Sequence, residues 1–204
     1  MVNYGLLTDA ERVLMGIIVI FTNAATIPVM NVLLRKPAMQ FEGIIGMMSG
    51  FTSFMYHLCE VLNTDIYLTE LEWHRLDNVF VISGICIFIM HMLGNSHSRI
   101  LIYLALITAI LFQERYPWDL RFTIAPIVVF SVIGIVNRLL NWNKIAVSYN
   151  WGNCLKTAGY LSVGSYFFIK GLDEYDDYLR FNHGLWHLFS GAAIYYGLQA
   201  CEVS

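Results

Sequence analysis

Seven long apolar runs, separated by short polar stretches, organise the chain. They cover about residues 13–34, 42–62, 77–93, 100–112, 122–140, 153–170 and 181–199. A helix needs roughly 20 apolar residues to cross the hydrocarbon of a bilayer. The fourth run is short for that and has to borrow flanking residues or tilt little. Short connections make consecutive helices pack antiparallel. The pattern therefore predicts an all-α fold, a seven-transmembrane helical bundle that forms a single integral membrane domain over residues 1–204. No internal repeat or low-complexity tract interrupts it. Pro28 and Pro126 fall inside predicted spans. A bundle tolerates them because neighbouring helices satisfy the freed carbonyls, so they predict kinks rather than loops. The polar start "MVNYGLLTDAER" and the length of the run behind it fit a retained anchor better than a cleaved signal peptide.

Composition agrees with a bilayer setting. The chain has 204 residues, 57% of them hydrophobic and only 13% charged, with a mean hydropathy of +0.58. A soluble domain is about one-quarter charged. The net charge of −3 supplies no basic field and excludes nucleic acid as a partner. Cys59, Cys86, Cys154 and Cys201 are scattered, too sparse for a disulfide scaffold and without zinc-ribbon spacing. Lysines and arginines divide evenly between the two faces, so they do not orient the chain. Acidic residues gather on the N-terminal side, in "LNTDIYLTELEWHRLD", "QERYPWD" and "KGLDEYDDYLR". Together with Arg35 and Lys36 after the first run, this favours an extracellular or luminal N-terminus and a cytosolic C-terminus. The expected location is the plasma membrane or a membrane of the secretory pathway.

Ionisable groups inside spans are costly and mark function by default. Ser53 and His57 lie near the exit of the second span, Asp77 at the start of the third, and His183 and His187 at the start of the seventh. Seven alternating spans bring all five to one membrane face. Ser53 and His57 are four residues apart, as are His183 and His187, so each pair shares a helix face. His57, His183 and His187 form a three-histidine metal set that leaves a fourth position open, the pattern of a catalytic Zn2+ site. Asp77 is the candidate catalytic base or orienter, and Ser53 the candidate donor to water or a developing oxyanion. Trp186 and Tyr56 are candidates to wall an acyl-chain cavity. His74 is expected at the interface, while His91 and His97 lie away from the set. The acidic run "DEYDDY" reads as a solvated loop.

These motifs in order, "SFMYH", "RLD" and "HGLWH", resemble the CREST superfamily of seven-span membrane proteins. That superfamily includes alkaline ceramidases and the progestin and adipoQ receptors. The stretches around "YHLC", "ERYPW" and "DYLRFNHGLWH" are similar to its transmembrane protein 8 and myomaker branch. The resemblance implies an outside N-terminus and one of two functions. The first is a zinc-dependent hydrolase that cleaves an ester or amide bond of a membrane lipid, such as a phospholipid, a ceramide or a glycosylphosphatidylinositol lipid. The second is a non-catalytic, myomaker-like protein of membrane fusion or reception, with a structural zinc. A haem carrier is a third class, but it gives Ser53 and Asp77 no role. The expected partners are a membrane lipid as substrate or bound molecule and, for the chain itself, a homodimer.

Overall fold

The structure is a computed structural model that describes residues 7–95, 98–141, 147–173 and 175–203. Its helices start where local capping chemistry dictates. Thr8 and Glu11 form a capping box that opens α1 (Asp9–Thr22). A 3-10 turn over Asn23–Ala25 joins α1 to α2 (Thr26–Leu34), giving one rod. Pro28 explains the turn: it has no N–H for the carbonyl of Ala24, and the backbone tightens there. After a second 3-10 turn, α3 (Gln40–Leu62) ends at Asn63 in the left-handed conformation, which asparagine tolerates.

The next helix, α4 (Glu70–Met92), starts seven residues before the apolar run expected at 77–93. A second capping box, Thr69 with Glu72, sets this earlier start. Hydropathy alone reads the polar first turns of α4 as loop. Asp77 consequently lies two turns inside α4 rather than at its start. Helix α5 (Arg99–Arg115) also outruns its apolar core of 100–112. Helix α6 (Leu120–Leu140) begins at the Asp119 cap and stays helical through Pro126. Proline there leaves the Phe122 carbonyl without a helical partner. The side-chain amide of buried Gln113 on α5 donates to that oxygen at 3.1 Å.

Helices α7 (Trp151–Gly171) and α8 (Phe181–Gly197) pack against each other along their length. A short antiparallel ladder, absent from the all-helical expectation, pairs β1 (Val147–Tyr149) with β2 (Cys201–Val203) and ties the start of α7 to the end of α8. Helix α8 also packs on α1 and α2, α3 on α1, α2 and α4, and α4 on α5 and α6. The largest buried cluster joins Ile82, Cys86 and Met90 of α4 to Ala105 and Ala109 of α5 and Phe130 of α6.

The rod Asp9–Leu34 and the helices Glu70–Met92 and Leu120–Leu140 are long and apolar enough to cross a membrane. Their outer faces are apolar, with Val13, Ile17 and Phe21 exposed on α1 and Val128 and Val132 on α6. Buried side chains include Ser53, His57, Glu60, Asp77, Gln113 and Arg180. An apolar exterior around polar interior groups is the arrangement a bilayer selects.

Candidate metal centre

One turn before its end, α3 carries His57, which has no exposed surface. Helix α8 opens at Arg180 in the left-handed conformation, and the Asp177 carboxylate caps its first turn. The Asn182 N–H donates to Asp177 Oδ1 at 2.8 Å and the His183 N–H to Oδ2 at 3.0 Å. His183 and His187 follow on one face of α8. Gly184 stands between them, and a methyl group there would meet Ile18 at 2.6 Å and Thr22 at 3.4 Å. The missing side chain lets α8 approach α1 closely.

The three histidines converge. One ring nitrogen from each of His57, His183 and His187 lies within 4.8 Å of the other two. The Nε2 atoms of His57 and His183 are 3.2 Å apart. Zn–N bonds of ~2.0–2.1 Å in a tetrahedral set require ligand nitrogens roughly 3.3 Å apart, so that pair already has the spacing of two zinc ligands.

Hydrogen bonding to the second ring nitrogen fixes which one faces inward. The Thr22 hydroxyl donates to the Ile18 carbonyl at 2.7 Å, so toward His187 Nδ1, 3.2 Å away, it accepts. His187 therefore carries its proton on Nδ1, and its Nε2 lone pair is bare. His57 Nδ1 is 2.9 Å from Glu60 Oε2. That carboxylate accepts the Nδ1 proton and leaves Nε2 of His57 bare as well. Neutral imidazoles held through their outer nitrogens are the donors that metal ligation asks for. The residues present fit a divalent ion such as zinc.

Ser53 and Asp77 are the other two residues that the sequence singles out. Ser53 is one turn before His57 on α3, and Asp77 lies on α4, the helix packed against α3; both side chains are buried. Asp77 Oδ1 is buried without a hydrogen-bond partner. A buried carboxylate oxygen left bare is costly.

Three groups here escape a reading of apolar runs. Glu60 is a carboxylate within the apolar run at 42–62, three residues from His57, a spacing that puts both on one face. Arg180 lies just before the seventh run. Thr22 gives no signal, because a threonine bonding its own helix four residues back is ordinary. His74 is not simply interfacial. Its ring stacks on Trp118 at 3.7 Å, meets Tyr56 at 4.8 Å, and its Nδ1 is buried without a partner. Tyr56 in turn lies 4.7 Å from the His57 ring. Trp186 packs on Phe168 of α7, with ring centres 5.1 Å apart. His91 is buried at the far end of α4, and His97 and Glu174 lie outside the described residues.

Residues 11–188 match a family model whose description reads "Protein of unknown function (DUF3522)". The matched span ends one residue past His187 and so includes the whole histidine set. A search of curated proteins returns no match.

Proposed function

The chain belongs to the DUF3522 family, and for it we propose a zinc-dependent hydrolase that cleaves an ester or amide bond of a membrane lipid within the bilayer. The observation that carries this reading is the convergence of three imidazoles in the bundle, together with a buried Asp77 oxygen that has no hydrogen-bond partner. In a three-imidazole set with one open position, zinc supplies a Lewis acid for a carbonyl and a nucleophile near neutral pH. The remaining work falls to the chain. Asp77 Oδ1 accepts a proton from the attacking water and returns it to the leaving group. The Ser53 hydroxyl donates to the oxyanion that develops on the scissile carbonyl. Tyr56 and Trp186 flank the acyl chain. The substrate class is phospholipid, ceramide or glycosylphosphatidylinositol-like lipid. The chain spans the membrane seven times, with its N-terminus and metal set on the extracellular or luminal side, as in the CREST superfamily that its motifs resemble.

Protein purified in detergent without chelator should hold about one zinc per chain, as a single site requires. It should hydrolyse a member of a panel of phospholipids, ceramides and glycosylphosphatidylinositol lipids. His187→Ala should lose metal and turnover together. A wild-type chain free of metal would overturn the reading.

One feature favours a second reading, a structural zinc in a non-catalytic protein of membrane fusion or reception. The ligands come from α3 and α8, and a metal there would staple those helices. A zinc-loaded protein with no turnover on the whole panel would favour it.

A further inference from the structure

Arg180 occupies two roles at once. It is the residue from which α8 starts, with a backbone φ of 57°, and its side chain reaches back 120 residues to α3. The guanidinium Nε and Nη2 both donate to the same carboxylate oxygen, Glu60 Oε1, at 2.8 and 2.5 Å. Nη2 also lies 3.5 Å from the Tyr56 hydroxyl. The other oxygen, Oε2, is thereby turned to His57 Nδ1 at 2.9 Å. Both side chains are buried, 6% exposed for Arg180 and fully enclosed for Glu60.

We infer that Arg180 and Glu60 are positioning residues of the three-histidine centre: the guanidinium fixes one carboxylate oxygen so that the other holds the Nδ1 proton of His57 and aims its Nε2 lone pair at the ion. The inference rests on the metal reading above and adds how the site is registered. One ligand comes from α3 and two from α8. The Arg180–Glu60 pair is the link that sets His57 against the helix carrying His183 and His187. A buried ion pair is weak evidence for stability, because desolvation offsets its attraction. Orientation of a ligand is the better account of its placement. Carboxylate–histidine–metal chains act in this way, and losing the carboxylate typically lowers metal affinity by about 10–100-fold.

A glycine takes the left-handed conformation freely, so Arg180→Gly keeps the start of α8 and removes the side chain that holds Glu60. Arg180→Lys restores the charge with a single point donor. The pair Glu60→Gln with Arg180→Met removes both charges and leaves neither one stranded, which guards against loss of folding. Zinc affinity would be measured by chelator competition on protein whose helical content and thermal transition match wild type. The expected result is a rise in Kd of about 10–100-fold for Arg180→Gly and for the double variant, with Arg180→Lys closer to wild type. Variants that fold and bind zinc within about twofold of wild type would overturn the positioning role. A wild-type chain that takes up no zinc would remove the metal reading itself, a separate outcome.

Discussion

Thr22 and Asp77 make opposite tests of the centre. Thr22 meets the outer nitrogen of His187, so Thr22→Val removes the acceptor that fixes the tautomer while keeping the volume. Zinc Kd should rise about tenfold, the low end of what an outer partner is worth, and Thr22→Ser should restore it. Asp77→Asn should leave zinc content unchanged, since Asp77 is not among the converging ligands, but should abolish lipid turnover. Unchanged turnover in Asp77→Asn would remove Asp77 from the chemistry and favour the structural zinc. Much of this constellation is legible in the sequence. Two histidines four residues apart in an apolar run, and a serine and histidine at the same spacing in another, are each a weak signal, and it is their place at one membrane face that singles them out. Glu60 is visible beside His57 once carboxylates within spans are followed as closely as histidines. Thr22 is not, because its partner lies 165 residues away and only packing reveals it.

Between helices, Gln113 and Pro126 form a pair whose logic is compensation. The proline frees the Phe122 carbonyl and the glutamine fills it. In hydrocarbon such a carbonyl finds no water. In Gln113→Leu it is left unmade, whereas in the Pro126→Ala background the new N–H at position 126 takes it over. The two substitutions should therefore couple, by about 1–3 kcal/mol, the cost of a buried polar group left unsatisfied. The other amide oxygen of Gln113 is buried without a partner, but its loss is common to both arms of the cycle and cancels. Unfolding of the four proteins in detergent measures the coupling, and simple additivity would show that another group satisfies Phe122. Apolar runs reveal that helices exist, and they fix the ends of α6 and α7 to within two residues of those expected. They miss the start of α4 because Glu70, Glu72, His74 and Arg75 are polar, while the signal that opens the helix is the Thr69–Glu72 capping box.

Across the whole molecule, the proposed seven spans must be reconciled with three helices that meet a simple measure of length and apolarity. The helices that fall short are informative. Helix α3 carries Glu42, Ser53, His57 and Glu60, and α8 carries Asn182, His183 and His187. In α3 these polar residues lower the hydropathy and are buried, whereas α8 falls short by its length of 17 residues. Helix α5 has 17 residues, about 25 Å at 1.5 Å per residue, just short of a full crossing without its flanks. The two arrangements differ in a measurable way. With three crossings, the loop after α3 and the loop before α8 lie across the membrane from the N-terminus. With seven, both lie on its side. Tyr67 and Tyr175 mark these loops, 94% and 80% exposed. Each would be replaced by cysteine in a background where Cys154 is serine, the other three cysteines being buried. Seven spans require both sites to react with an impermeant thiol reagent from the face that exposes an N-terminal tag. Reaction only from the opposite face would reduce the crossings to the three apolar helices and move the histidine set to the cytosolic side. Protection from both faces at Tyr175→Cys alone would instead bury the α7–α8 connection.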